Sequence, residues 1–311
     1  MFAIFIAITF GAVFAGQTAI NSQLRRFVVS PFLASTISFF VGLVFLTILL
    51  LVSGLPIGIP LELFLTQPVY IWLGGICGAI ALTVNILLFP KLGSVQTTIM
   101  PILGMTLMSM VIDNYGWFKS MQHSFGLNRG IGVVLLLIGV FLAVAQRESK
   151  FHRSQITRKK LFVQWLWRLV GVLAGMLLAV QFAINGELGK VLQSSTHAAL
   201  VSFLVGTTML IIMVGIMDRS YANIKKAIRE SAPWWVWIGG ILGGLYILIN
   251  VYLVEQIGTG QTVVLVLFGQ IAGSLLVEQF GLFRSYKNQI MPVQILGLII
   301  MIAGVFLIRI F

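Results

Sequence analysis

Long apolar stretches separated by short polar loops run through the whole of this 311-residue chain. A helix of about 20 apolar residues is long enough to cross the hydrocarbon core of a bilayer, which is about 30 Å thick. Stretches near that length fall at residues 2–22, 32–53, 70–89, 96–112, 130–145, 169–187, 198–217, 235–254, 261–277 and 292–310. The pattern predicts an all-α membrane protein with ten transmembrane helices.

The polar and small residues inside these stretches occur twice. The shift between the copies is 164 residues in the first two stretches and 165 residues further along. Matched pairs include Gln17 and Gln181, Asn21 and Asn185, Ser38 and Ser202, Gly74 and Gly239, Gly78 and Gly243, Asn85 and Asn250, Gly104 and Gly269, and Gly139 and Gly304. Self-similarity of this length indicates a duplicated unit.

Each unit holds five predicted spans, an odd number, so the two units must cross the membrane in opposite directions. The sequence therefore predicts a 5+5 inverted-topology repeat, a construction found in many secondary transporters. We expect a first repeat at residues 1–146, a basic linker at 147–168 and a second repeat at 169–311.

The positive residues give the orientation. A cytoplasmic linker places both termini outside, and all but four of the 20 Lys and Arg residues then lie on the cytoplasmic side. The four exceptions are Lys119, Arg129, Lys190 and Arg309. Loop 54–69 contains no Lys or Arg, whereas its counterpart has Arg219, Lys225, Lys226 and Arg229. Matched loops of opposite charge character are what opposite orientations predict.

Composition agrees with membrane insertion. The chain is 59% hydrophobic and 9% charged, whereas soluble domains carry about 25% charged residues. The net charge of +12 is confined to loops, so it orients the chain and indicates no nucleic-acid partner. The N-terminal stretch lacks the basic region of a signal peptide and carries Gln17 and Asn21 of the repeat, so we expect a retained first helix.

The second copy contains AxQxAxN at Ala179–Asn185, SFxVG at Ser202–Gly206, the pair Gly239–Gly240, and xGQxxxSLxxxxFGLF ending at Phe283. In this order, and duplicated, these motifs resemble the YdcZ family of the drug/metabolite transporter superfamily, in its fused two-unit form. The resemblance implies transport. The first copy departs from the motifs at Met105, which matches Gln270, and at 113–118, which match 278–283. A site between the halves is therefore expected to be asymmetric.

Amides inside the predicted spans are the candidate substrate-binding residues. Gln17 and Asn21 share one face of the first helix, and Gln181 and Asn185 share one face of the sixth. Both faces can line one central cavity for a neutral or zwitterionic ligand. The alternative is interhelical hydrogen bonding that only fixes packing. Asn85, Asn250 and the unmatched Gln270 are further candidates with the same two interpretations.

Charged residues lie toward the ends of the predicted spans. Asp113, Glu187 and Glu278 are candidate coupling groups at the edge of a wet cavity, or else interfacial charges. We expect no catalytic or metal site and no cofactor, because the histidines are scattered and only one cysteine, Cys77, is present.

The sequence thus predicts a secondary active transporter for a small organic metabolite or drug, working by alternating access in a bacterial or archaeal cytoplasmic membrane. Export is the direction that the resemblance to the YdcZ family implies. The alternatives are a translocase for a lipid or lipid-linked precursor and a non-transporting scaffold or accessory subunit. An enzyme is not expected. The partners are the bilayer and a small substrate. The Gly74-xxx-Gly78 and Gly239-xxx-Gly243 patterns pack helices within the chain or form a homodimer seam.

Overall fold

The structure, a computed structural model, describes residues 2–56, 58–120, 122, 126–150, 158–257 and 259–310. Its elements are α-helices joined by short turns. The helices of the first half are α1 Phe2–Val28, α2 Pro31–Val52, α3 Leu61–Thr66, α4 Gly74–Tyr115 and α5 Leu127–Lys150. Those of the second half are α6 Arg158–Leu192, α7 Ser195–Met213, α8 Ala222–Arg229, α9 Gly239–Ile257, α10 Thr259–Phe280 and α11 Pro292–Ile310.

The prediction of an all-α membrane protein is confirmed. Five helices are long and apolar enough to cross a bilayer: Phe2–Val28, Pro31–Val52, Gly74–Tyr115, Phe162–Leu192 and Ser195–Asp218. Four shorter helices among the described residues are also apolar: Leu127–Ala143, Gly239–Ile249, Leu265–Phe280 and Pro292–Ile308. The count of ten crossings remains a prediction.

Helix α4 covers two of the predicted spans. It has 42 residues and so extends over about 63 Å at 1.5 Å per residue, twice the thickness of a hydrocarbon core. The helix breaks at Gly93, where φ is 78° and ψ is 175°. Pro90 precedes the break and removes a backbone donor. Pro101 also lies inside α4, but the non-helical geometry is at Gly93.

Corresponding helices of the two halves have the same capping residues. Ser30 and Ser194 are matched residues, and each accepts a hydrogen bond from a backbone N–H at the start of α2 or α7. Gly116 and Gly281 are also matched, and each ends a long helix in the left-handed region, at φ 62° and 65°. A glycine suits this position because a Cβ would make the conformation costly.

Helix backbones of opposite halves approach each other closely at matched glycines. A Cβ added to Gly104 would overlap the carbonyl oxygen of Val172, and one added to Gly269 would overlap that of Ile8. Ile8 and Val172 are themselves matched at the 164-residue shift. The contacts of α4 with α6 therefore repeat in the contacts of α10 with α1.

Helices α5 and α11 show the same reciprocity. A Cβ on Gly132 would lie 2.7 Å from the carbonyl oxygen of Gly304, and one on Gly297 would lie 2.7 Å from that of Gly139. Gly132 matches Gly297, and Gly139 matches Gly304. Reciprocal contacts of this kind are those that an approximate twofold relation between two similar units produces.

The aromatic pair Phe39 and Phe203 marks the place where the two halves meet on α2 and α7. These residues are matched, and their ring centroids lie 4.9 Å apart. Each ring covers a glycine of the other half, Gly206 under Phe39 and Gly42 under Phe203. Lipid tails are as apolar as these side chains, so close packing rather than hydrophobic burial holds the helices together.

The glycine contacts give a stability prediction. Gly104→Ala and Gly269→Ala should each lower the melting temperature of the detergent-purified protein, because overpacking a tight contact costs about 1–3 kcal/mol. Gly186→Ala is the matched control, since Gly186 is exposed on α6 with nothing within 4 Å of an added Cβ. Alanine should leave the melting temperature at this position unchanged or slightly higher. Equal effects at all three positions would contradict the packing described.

Candidate functional site

The amides of α1 lie in its interface with α9. Gln17 and Asn21 are 5% and 0% exposed. They face Gly243 and Gly239, where an added side chain would overlap the two amide groups. Among the described residues, Oε1 of Gln17 and both amide atoms of Asn21 have no hydrogen-bond partner. Buried polar atoms without partners are costly in a membrane, so this interface is suited to receive water or a ligand.

The amides of α6 make the corresponding contact with α4. Gln181 and Asn185 face Gly78 and Gly74, in the same relation as on the other side. Here, however, both amides donate to the hydroxyl of Ser202, with Nε2 of Gln181 at 3.3 Å and Nδ2 of Asn185 at 3.1 Å. Oδ1 of Asn185 has no partner in the described part of the chain. The two matched interfaces thus differ in how well their amides are bonded.

The described contacts place the two amide pairs in two separate interfaces, α1 with α9 and α6 with α4. Each pair packs on glycines of the other half, so movement of one half against the other changes both. A single central cavity lined by both pairs remains a prediction.

Gln270 lies in α10 and is 6% exposed. Its Nε2 donates to the hydroxyl of Tyr246 on α9 at 3.1 Å. The ring of Tyr246 stacks on Phe14 of α1, with centroids 4.0 Å apart. The sequence singled out Gln270 through its unmatched position, but it gave no indication of the tyrosine or the stacked ring.

The remaining amide candidates are Asn85 and Asn250. Asn85 lies in α4, and its buried Oδ1 has no partner among the described residues. Asn250 lies in α9, but its side chain is outside the part of the structure that is described. Substrate binding and helix packing therefore both remain predictions for this matched pair.

Glu187 stands at the centre of a cluster that we call the outer clamp, defined by Tyr70, Lys119 and Glu187 and named for its predicted side of the membrane. The hydroxyl of Tyr70 lies 3.0 Å and 2.8 Å from the two carboxylate oxygens, and Nζ of Lys119 lies 3.0 Å from Oε1. The carboxylate is buried, whereas the lysine is largely exposed. The hydrogen bond to Glu187, with its charge, raises the pKa of Lys119. The ammonium therefore stays charged at neutral pH.

The matched residues form an inner clamp, defined by Gln23, Trp235 and Arg284. Nε2 of Gln23 donates to the carbonyl oxygen of Arg284 at 3.2 Å. Trp235 lies 5.8 Å from the ring of Phe283, as Tyr70 lies 5.8 Å from that of Phe118. An ion pair and phenol on one side thus correspond to an amide–carbonyl bond on the other. No local pattern in the sequence predicts either clamp, although the repeat shift pairs Glu187 with Gln23.

Glu278 is also buried and bonded, at the break in α4. Its carboxylate accepts from the backbone N–H of Val95 at 2.9 Å and from Nδ2 of Asn288 at 3.2 Å. Val95 follows the kink at Gly93, so the carboxylate meets the positive end of a half-helix, where a negative charge is stabilised. Asp113, which matches Glu278, is only partly buried. The carboxylates are therefore unequal, and their role in coupling remains a prediction.

An open groove of 460 Å³ lies on α7, away from all of the candidate residues. It is lined by Leu204, Val205, Thr208, Met209, Ile212 and Met213. Thr208 is the polar member of this lining, and its hydroxyl donates to the carbonyl of Leu204 in its own helix. The groove therefore has the character of a lipid-facing surface.

Comparison with known proteins supports the resemblance noted above. Residues 2–142 and 166–307 each match the family model described as "Putative inner membrane exporter, YdcZ". A curated relative is the inner membrane protein YdcZ of Escherichia coli strain K12, which is 22% identical over 139 residues. The match covers 44% of this chain and 90% of that protein, so this chain corresponds to two such units.

The fold also has a counterpart among solved structures. One crystal structure superimposes with a TM-score of 0.59, covers 98% of this chain and 94% of its own, and is 14% identical in sequence. At this identity the likeness concerns the fold.

The unequal bonding of the two amide interfaces gives a prediction. Asn185→Leu should lower the melting temperature, because it removes a bond to Ser202 worth about 0.6–2 kcal/mol. Asn21→Leu should leave the melting temperature equal or higher, because it replaces unpartnered amide atoms with an apolar group of similar size. Both variants are measured in the same detergent. Destabilisation by Asn21→Leu that matches or exceeds that by Asn185→Leu would show that Asn21 has a structural partner after all.

Proposed function

We propose that this chain, which belongs to the YdcZ family, exports a small organic metabolite or drug from the cytoplasm as a secondary active transporter with alternating access. The observation that carries the proposal is that the amides in both interfaces between the halves include buried polar atoms with no hydrogen-bond partner among the described residues, namely Oε1 of Gln17, both amide atoms of Asn21 and Oδ1 of Asn185. Substrate groups that satisfy Gln17 and Asn21 on binding would recover the cost of leaving them unbonded.

The reciprocity of the two halves supports alternating access. Each amide pair packs on glycines of the other half, and each clamp joins residues of both halves near one end of the bundle. If the repeats are inverted, the two clamps lie on opposite sides of the membrane. Opening one while the other stays closed then exposes the interface to a single side, as transporters built from inverted repeats do.

The other interpretations have less support. A scaffold has no use for unpartnered amides between its halves and would favour full hydrogen bonding there. A lipid translocase needs polar groups along a laterally open path, but the open groove on α7 presents apolar side chains and an internally bonded threonine. The export experiment described below distinguishes a scaffold and a lipid translocase from an exporter of small molecules.

Loss of the amides should stop export. Asn21→Ala and Asn185→Ala should reduce efflux to the background of cells that lack the protein, while expression stays near that of the parent. The melting temperature should fall only modestly in Asn185→Ala, which loses its bond to Ser202, and should stay near that of the parent in Asn21→Ala. The measurement compares metabolites in the medium of cells that express each variant, followed by flux from proteoliposomes for any compound that accumulates outside. Gly186→Ala is the control and should export normally. Normal export by both amide variants, or no compound released by the parent, would overturn the proposal.

The clamps give a second prediction. Glu187→Ala removes the acceptor of both Tyr70 and Lys119 and should favour opening on the outer side. Cys77 is the single cysteine of the chain and lies one turn beyond Gly74 in α4, so it reports on this end. A membrane-impermeant maleimide added outside should label Cys77 several times faster in Glu187→Ala than in the parent. Gln23→Ala, which opens the inner clamp, should not raise the rate. Equal labelling of both variants would contradict the assignment of the clamps.

A further inference from the structure

The two halves differ most sharply in chemistry at one set of matched positions. Phe14, Tyr246 and Gln270 lie together where α1, α9 and α10 meet. Their counterparts at the shifts of 164 and 165 residues are Leu178, Ala81 and Met105. One half-interface therefore holds a stacked aromatic pair and a hydrogen-bonded amide, where the other holds three apolar side chains.

Two more polar groups lie along the same interface of α1 with α9, at increasing distance from this contact. Gln17 is one turn from Phe14 on α1, and its Nε2 would lie 2.7 Å from a Cβ on Gly243, one turn from Tyr246 on α9. Its Oε1 is buried without a partner among the described residues. Asn21, one turn further along α1, has neither amide atom bonded there. All of these residues lie away from the ends of their helices.

Packing alone does not account for this cluster. Leu178, Ala81 and Met105 show that apolar residues complete the same arrangement of helices without buried polar groups. A phenol and amides in mid-membrane are costly unless they are used. The phenol of Tyr246 and the amide of Gln270 are present on one side only, which indicates a site for a ligand rather than a requirement of the fold.

The chemistry of the cluster defines the ligand. Gln17, Asn21, Tyr246 and Gln270 carry no formal charge, and their amides offer donors and acceptors side by side. The rings of Phe14 and Tyr246 favour a flat partner that stacks. We propose that this cluster is the substrate site of the exporter and binds a neutral, planar ring that carries an adjacent donor and acceptor, such as a lactam or a carboxamide. This inference rests on the proposed function.

Binding at this site is linked to movement of the halves. The two rings already touch, with centroids 4.0 Å apart and planes 26° apart, so a flat ligand has to take the place of Phe14 against Tyr246. Phe14 belongs to the first half and Tyr246 to the second. Insertion of the ligand therefore separates α1 from α9, the same pair of helices that holds Asn21 against Gly239.

The test replaces the three unmatched residues of the site with the residues at the matched positions of the other half. The triple variant Phe14→Leu, Tyr246→Ala, Gln270→Met carries residues that the other half already packs, so its melting temperature should stay near that of the parent. Uracil and nicotinamide are the neutral planar probes, and tetraphenylphosphonium and benzoate are the charged comparisons. A ligand that binds only the folded protein raises its melting temperature with dose. Met105→Leu, on the unmodified side, is the control variant.

We expect at least one neutral probe, and neither charged one, to stabilise the parent and Met105→Leu. The triple variant should lose the response, and Tyr246→Phe, which keeps the ring but loses the hydroxyl, should bind about tenfold more weakly. A response retained by the triple variant would overturn the site. Stabilisation by charged probes only, or by none, would overturn the ligand class.

The export assay separates this failure from that of the proposed function. If the triple variant releases the same compounds as the parent while the alanine variants of Asn21 and Asn185 do not, the site is wrong and export stands. If the parent releases nothing, the proposed function fails whatever the probes do.

Discussion

Close approach of helix backbones across the two halves is the interaction on which the rest of this structure depends. In a bilayer there is little hydrophobic gain from bringing apolar helices together, so their association relies on packing and on a few polar contacts. Matched glycines provide the packing where α1 meets α10 and α9, where α6 meets α4, and where α5 meets α11. The amides of Gln17, Asn21, Gln181 and Asn185 fit against some of these glycines, so the polar groups lie in the same surfaces that hold the molecule together.

Much of the fold could be read from the sequence because a repeat is visible without coordinates. The Gly74-xxx-Gly78 and Gly239-xxx-Gly243 patterns predicted close helix packing or a homodimer seam, and in the structure these glycines face amides of the other half. The break at Gly93 lies between the predicted spans 70–89 and 96–112, but the continuation of α4 as helix on both sides of the break was not predicted. The short helices α3 and α8 were missed for a different reason, since each is too short for hydrophobic periodicity to reveal.

The sequence predicted several residues of the candidate site but not how they are arranged. Gln17, Asn21 and Gln270 stood out as amides within apolar stretches. Tyr246 and Phe14 did not, because an aromatic residue in a membrane span is ordinary until its neighbours are known. The bonds of Glu187 to Tyr70 and Lys119 join residues far apart in sequence, and no local pattern predicts such contacts. The burial of Glu187 and Glu278 shows that a position near a helix end does not make a carboxylate an exposed one.

The difference between the outer and inner clamps has a consequence for the resting state of the molecule. Consider two identical units related by a twofold axis in the membrane plane. The twofold rotation converts the inward-facing state into the outward-facing state, so the two states make the same contacts and have equal energy. Joining the units in one chain lets each position change independently of its counterpart. If the chain works by alternating access as proposed, the differences between Gln23 and Glu187 and between Arg284 and Lys119 at matched positions make the two states unequal in energy, so that one is more populated before any substrate arrives. Under the proposed mechanism, a few unmatched side chains thus give the fused chain a preferred resting state, which a symmetric pair cannot have.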